Sequence, residues 1–512
     1  MHVTPVRPRL AVRFAAADWR TPFARAGLYL AAFISVLNVS IVYLALPAMR
    51  QALHAGISDQ QWIVSIYPLM EGSFTLAAGT IGDQFGRKRI LAWSVGLFVL
   101  ASFACALSRD PTELIVARAA QGIGGAALLS LPLALLLESA RDSKASDSTV
   151  ALFSTVAALA AGTAPLAGGA LVQWIAWPAI FYFSAALGAV VIASLFFVTE
   201  KTPHAQTGSD LWGQLLSIAA IVSISYAMIE GNHNGWTSPV ILTAFGIAGA
   251  GFALFLVVER YAKWPMIHLR YFKQRTFNIA VLLLGIVNFA WYGVMLLVSL
   301  FMQDIQGLSE IAAGLYLIPC NAAYFAANFF SNQLREKLGF PWNIAISFIF
   351  SIAGIVWLAM IEQSTPPWEV AAALALAGLG WGIICTPASA VGLSVVESSD
   401  EGFASGTLAF GRSLFGVFGI AVLGSILSGV MSGRLAERMT KLHASAEAIA
   451  QTTRAVVHGD LFDVGRKFTP LVHKSFVHAM HDALLVCAAL SVAVVIAIMI
   501  ALSARGRSLP QS

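Results

Sequence analysis

Few side chains in this sequence could do chemistry inside an apolar phase. Glu71, in QWIVSIYPLMEG, is the carboxylate set deepest in an apolar stretch, whereas Asp83, Glu138, Glu230 and Glu397 stand at stretch ends. A carboxyl group so placed can take up and release a proton during a cycle, which a proton-driven exchanger requires. Asn38 lies about twelve residues from one end of its stretch and Glu71 about ten from the same end of the next. At about 1.5 Å per residue their depths match within one turn. Pro68, three residues before Glu71, frees a backbone carbonyl nearby. A fixed hydrogen bond from Glu71 to a neighbour such as Asn38 is the competing reading. Arg118 and Gln121 lie one turn apart in ARAAQGIGGAA, beside Gly122, Gly124 and Gly125. An arginine within a span costs about 2.5–3.5 kcal/mol on insertion scales, so it needs a carboxylate, a carbonyl or a water-lined cavity.

Two glycine-rich segments follow the same logic. GTIGDQFGRKRIL puts Gly79, Gly82, Asp83, Gly86, Arg87, Lys88 and Arg89 in one short turn. Glycine permits the turn, and an acid beside three bases offers charge-assisted bonds to a neighbouring helix; a solvated basic loop that only fixes orientation is the plainer alternative. AAGTAPLAGGAL, with Gly162, Pro165, Gly168 and Gly169, combines a kink with a flat surface for close helix packing. Trp62, Tyr67, Phe74, Tyr292, Phe325 and Trp381 could line a cavity for flat or cationic ligands, although most such aromatics pack or sit at interfaces. His473, His478, His481 and Asp482 have a spacing that could reach a metal, but they read as water-facing residues at a helix start, and no metal site is expected.

Elements must hold these groups. Charged residues make up 11% of the 512, too few for a soluble surface, and hydrophobic ones 58%; mean hydropathy is +0.77. A disordered chain, a collagen, a disulfide scaffold and an ordinary cytosolic enzyme are excluded. An integral membrane protein remains. Cys105, Cys320, Cys385 and Cys487 each lie in an apolar run, so no disulfide is expected. The N-terminal 25 residues lack the apolar core and cleavage site of a signal peptide. Fourteen stretches are long enough to span: 26–49, 60–81, 90–108, 114–137, 149–172, 178–199, 211–229, 239–258, 277–302, 311–331, 342–361, 370–396, 403–430 and 483–503. With the N-terminus inside, the inner segments carry twenty Lys and Arg, and the short outer loops only Arg50 and Arg109. Two more, Arg118 and Arg412, fall within spans. Segment 259–276 is basic and amphipathic and reads as an interfacial helix; the outer segment 431–478 reads as an amphipathic helix or hairpin.

The G-x-x-x-D-x-x-G-R-K loop resembles the signature loop of the major facilitator superfamily. That likeness implies a conformational gate of Gly79, Asp83, Gly86, Arg87 and Arg89, whose Asp pairs with a helix of the other half and latches the outward-facing state. It also implies a part in proton transfer for Arg118. The Gly162, Pro165, Gly168, Gly169 pattern resembles the motif that marks the antiporters of the superfamily. LNVSIVYLALP, YAMIEGNHNGW and GFASGTLAFGRSLFGVFGIAVLGSIL, with fourteen spans, resemble the fourteen-helix branch of drug/proton antiporters over residues 28–503. SNQLREKLGF is a degraded second copy of the loop, with Glu336 where Asp would stand. Three positions depart from the branch: Asn38 where Asp is usual, Tyr43 where Asn is usual, and Pro178 where Arg is usual.

The implied fold is all-α and membrane-integral. It comprises a cytoplasmic tail 1–25, a six-helix bundle 26–199, inserted helices over 200–258, a cytoplasmic linker 259–276, a second six-helix bundle 277–503 and a tail 504–512. The implied function is export of small lipophilic or cationic toxic compounds across the inner or plasma membrane, driven by protons, by alternating access. Because Asn38 cannot titrate, Glu71 is expected to bind the proton, assisted by Arg118. No phosphate loop is present, so no cofactor beyond the proton gradient is expected. Expected partners are a small-molecule substrate, protons and the lipid bilayer, with no nucleic acid, for a monomer. A transporter of one metabolite is the nearer alternative; a membrane sensor or intramembrane enzyme is the one from another class.

Overall fold

The computed structural model describes residues 20–138, 143–199, 210–265, 267–397, 400–441, 443, 445–457 and 465–503. The expected tail 504–512 and residues 1–19 of the N-terminal tail lie outside them, as do residues 200–209 at the start of the inserted segment. Every described element is helical. In order they are α1 Arg20–Ser40, a 3-10 stretch Ile41–Ala45, α2 Leu46–Leu53, α3 Ile57–Phe85, α4 Arg87–Leu107, α5 Pro111–Glu138, α6 Ser143–Trp174 and α7 Ala179–Leu195. Then come α8 Leu211–Asn234, α9 Pro239–Tyr261, a 3-10 turn Leu269–Lys273, α10 Arg275–Leu300 and a π-helical turn Phe301–Ile305. The chain ends with α11 Glu310–Leu338, α12 Phe340–Leu358, α13 Pro367–Leu393, α14 Glu401–Lys441, α15 Ala446–Val457 and α16 Gly465–Ser503.

The fourteen predicted stretches fall on fourteen helical rods, α1 and α2 together forming the first. Among the described residues, eleven of these are long and apolar enough to cross a membrane. Helices α3 and α11 are long enough but interrupted by polar residues, and α7 is apolar but has 17 residues. Local chemistry sets the ends. The Gly56 amide donates to the Asp59 carboxylate at the start of α3 (2.8 Å), and the Ser238 and Ser309 hydroxyls accept from the Ile241 and Ala312 amides in the first turns of α9 and α11. The α3–α4 and α11–α12 turns each pivot on a glycine in the left-handed region, Gly86 at φ 102° and Gly339 at φ 83°. The two loops that resemble each other in sequence therefore turn alike.

Helices α1–α7 pack mainly on one another, as do α10–α14 with α16. The halves meet along two seams, α3 against α14 and α6 against α11. The α8–α9 hairpin lies beside α14 and α3.

One expectation about the connections is corrected and one is refined. Segment 259–276 is not an interfacial helix: α9 ends at Tyr261, Pro265 breaks the pattern, and one 3-10 turn follows. That turn is tied down by Asp400, which accepts from the Tyr271 hydroxyl (2.8 Å) and pairs with Arg270. Segment 431–478 holds an amphipathic helix, α15, as expected, but on both sides of it the neighbouring helices continue far into the segment. Helix α14 runs 41 residues and α16 39, more than a bilayer needs. Their extensions bury Leu435, Met439, Val472 and Phe476 and are joined by Arg434 and Asp482 (2.7 Å).

Candidate functional site

A polar network fills the middle of the first half. Asn38, on α1, is fully buried and accepts from Ser184 (3.1 Å) and from Gln121 (3.2 Å), while its own amide donates to the Ile34 carbonyl (2.9 Å). Gln121 also donates to Ser102 (2.8 Å) and accepts from the Arg118 guanidinium (2.7 Å). Arg118 reaches the Ile63 carbonyl (3.2 Å) and lies over the Tyr67 ring, 4.5 Å from its centre. Its remaining amine, Nη2, is buried with no partner among the described residues. The arginine is thus half satisfied by carbonyl and amide and half in reserve.

Glu71 sits on the other side of Tyr67. Its Oε1 accepts from the Ser35 hydroxyl and from the Tyr67 hydroxyl (3.2 Å), and the residue is 8% exposed. Ser35 is one turn from Asn38, so the matched depth holds, but the partners of Glu71 are Ser35 and Tyr67. Asn38 is bonded elsewhere. Tyr67 is therefore buried between the two charges, with Gly125 leaving room for it: a Cβ there would lie 2.6 Å from its hydroxyl.

The remaining sequence candidates separate. Trp62 donates to Glu230 on α8 (3.2 Å), and Phe74 packs half-buried against the first-half core. Tyr292 is half-buried on α10, where its carbonyl lies 3.5 Å from the Tyr43 hydroxyl. Phe325 packs edge-on to Tyr324, and Trp381 is buried against Trp291 in the second-half core. Near the start of α16 the polar residues go different ways: His473 to Gln363 (3.1 Å), His481 to the Ile361 carbonyl (2.7 Å) and Asp482 to Arg434.

Asp83 pairs with Arg87 (2.7 Å), which also reaches Glu138; all three belong to the first half. Lys88 donates to the Val198 carbonyl (2.7 Å), Gly82 packs closely on Leu131, Gly86 makes the turn, Arg89 is exposed and Gly79 has open space around it. The pairing across halves that the resemblance implied is not the arrangement found in this state. At the opposite end, two of the α6 motif residues, Pro165 and Gly169, lie on the seam with α11, and Gly168 faces the 3-10 stretch of its own half. A Cβ on Gly168 would lie 2.8 Å from the Ile41 carbonyl, and one on Gly314 of α11 2.7 Å from the Pro165 carbonyl. Gly169 backs onto the Glu310 backbone, while Gly162 has open space.

Sequence reasoning missed a buried ion pair between the halves. Arg50, placed in an outer loop, is buried, and it grips Asp304 of the π-helical turn with both amines, at 2.7 and 2.9 Å. Asp304 escaped notice because its stretch was ended at residue 302. The usable signal was a charge immediately after LALPAM, facing an acid two residues past a span. Ser299 donating to the Tyr43 carbonyl (2.8 Å) and Gln173 accepting from the Ile311 amide (3.2 Å) add to the same end.

The family model described as Major Facilitator Superfamily matches residues 28–420. The chain belongs to the major facilitator superfamily. As a member it is a transporter, not an enzyme. It is 31% identical over 434 residues to the multidrug resistance protein Stp of Mycobacterium tuberculosis, covering 83% of this chain and 81% of that one. It is likewise 31% identical over 401 residues to the methylenomycin A resistance protein of Bacillus subtilis, covering 78% and 86%. Among solved structures it resembles the bacterial homologue of the human lysosomal transporter Spinster in its inward-facing, unoccupied conformation. The TM-score is 0.67 at 16% identity, covering 95% and 97% of the two chains. That likeness bears on the superfamily fold alone.

Proposed function

We propose that this chain exports small toxic compounds, lipophilic or cationic, in exchange for protons, by exposing one central site alternately to each side of the inner or plasma membrane. The observation that carries the reading is Glu71: a buried carboxylate in the middle of a transporter half, hydrogen-bonded to neutral hydroxyls, with Arg118 behind the same tyrosine. The two relatives named for drug resistance support the class of cargo. Asn38 cannot change its charge, so the proton falls to Glu71.

In this reading the structure is the state sealed at the Arg50 end. Opening that end requires the Arg50–Asp304 pair to part, and Asp83 then leaves Arg87 for a partner in the second half. The excess of Lys and Arg at the Asp83 end makes it cytoplasmic and both termini internal. A reporter fused near residue 450 is expected to read as external; a cytoplasmic signal overturns this orientation.

Glu71→Gln tests the coupling, because glutamine keeps size and hydrogen bonding but cannot titrate. The variant is expected to bind substrate and to lose efflux driven by a pH gradient by at least about tenfold. Undiminished gradient-driven efflux sinks the proposal.

A further inference from the structure

Across the α3–α14 seam from the helix that carries the central carboxylate lies a cation of the second half that the mechanism above leaves unused. Arg412, on α14, is half-buried within a span, and among the described residues no carboxylate pairs with it. The groups close enough to interact with its charge are Cys385, Tyr324 and Tyr292. Two close approaches fix its place. Where α3 crosses α14, a Cβ on Gly72 would lie 2.6 Å from that of Ser413, so the residues beside them, Glu71 and Arg412, stand at one level on the two sides of the seam. One turn further along α14, Gly416 lets the Tyr292 ring lie flat on the helix; a Cβ there would come within 2.6 Å of it. Tyr292 is consequently within electrostatic reach of both Glu71 and Arg412.

A guanidinium inside a span is retained where it meets a counter-group, and its planar fork matches a carboxylate or a pair of carbonyl oxygens. Glu71 does not fill that role here, since its Oε1 is engaged by Ser35 and Tyr67. We propose that Arg412, with Tyr292 and Tyr324, forms the acceptor-binding half of the substrate site and Glu71 the donor-binding half, so that the site prefers amphoteric compounds. The substrate's ammonium faces Glu71, and its carboxylate faces Arg412. Trp291, packed edge-on to Tyr324 at 4.9 Å between ring centres, supplies an aromatic wall for a flat ring. The inference rests on the reading of Glu71 as the coupling carboxylate: a proton arriving there removes the charge that holds the ammonium end, and the acid end alone no longer retains the substrate.

The test is equilibrium dialysis on purified full-length protein in lipid nanodiscs, with three probes: the zwitterion norfloxacin, its ethyl ester, which lacks the acid, and its N-acetyl derivative, which lacks the ammonium. The unmodified protein is expected to bind norfloxacin at least tenfold more tightly than either capped form. Arg412→Gln should bring norfloxacin down to the level of the ester and leave ester binding unchanged, which also reports that the variant is folded. Equal binding of acid and ester, equal weakening of both by Arg412→Gln, or binding of none of the three overturns the proposal. If Glu71→Gln keeps gradient-driven exchange while Arg412 still discriminates acid from ester, the coupling reading fails and the acceptor half stands. If exchange is lost and the discrimination is absent, this inference fails alone.

Discussion

The two ends of the molecule carry the same chemistry, an arginine against carboxylates, in opposite arrangements. At the Arg50 end the pair joins the two halves, and both side chains are 4% exposed. At the Asp83 end the pairs stay within the first half; Arg87 and Glu138 are each 30% exposed and Asp83 39%. Burial decides what each pair can do. Breaking a buried pair strands an unpaired charge at a cost of about 3–5 kcal/mol, whereas a partly wet pair is worth about 0–1 kcal/mol. In the proposed mechanism the Arg50 pair therefore serves as the seal, and the Asp83 group, cheap to re-pair, as the latch that changes partners.

The largest expected effect breaks the seal. Arg50→Gln or Asp304→Asn is expected to shift the balance between sealed and open states by on the order of 100-fold or more, since each 1.4 kcal/mol is tenfold. Spin labels at positions 51 and 307, across that seam, should show a longer distance becoming dominant in pulsed EPR. Combining Arg50→Asp with Asp304→Arg should restore much of the short distance. An unchanged distance in both single variants removes the seal from the mechanism.

Asp83→Asn is the next test, and it contrasts thermodynamics with function. Stability should change by no more than about 1 kcal/mol, because the pair it breaks is wet. Efflux should nonetheless fall several-fold, since a population shift needs only a small difference in contacts between two states. A well-expressed Asp83→Asn protein with normal efflux contradicts the latch and leaves the seal as the sole gate.

This contrast also shows what could be read from the chain. Helical rods follow from long apolar runs, and Asn38, Glu71, Arg118 and Gln121 were visible because polar residues inside such runs are costly enough to need a reason. Tyr67 was noticed as a possible cavity lining; its place between Glu71 and Arg118 depends on which face of α3 meets α5, which hydropathy does not encode. Hydropathy also ended spans too early. It cut off Asp304 at a π-helical turn, and it assigned the amphipathic ends of α14 and α16 to a separate outer segment although Leu435 and Met439 continue the buried stripe. Pairs such as Arg50 with Asp304 are 254 residues apart, so only the packing of the two halves brings them together.

The smallest expected effect concerns a third charged cluster, at the same end as Asp83, where the linker meets α14. Arg270 is 52% exposed and Glu397 69%, so their contact at 3.4 Å lies in water; Asp400 is 13% exposed. Burial works against the Asp400 carboxylate, but hydrogen bonds from Tyr271 and Arg270 and the nearby His268 and Arg270 charges hold it below its ordinary range. A depressed carboxylate stabilises the folded chain above its unfolded value of about 3.9 and loses that contribution as pH falls through the lower folded value. Between pH 7 and pH 5 the cluster should therefore contribute a constant amount. Asp400→Asn should lower Tm at pH 7 by no more than about 2 °C, and the difference from the unsubstituted protein should vanish only below about pH 4. A loss already present at pH 6 would mean that protonation of Asp400 is not what releases the linker. A drop as large as that of Asp304→Asn would mean that this wet cluster also joins elements which move apart, and that exposure does not separate latches from seals.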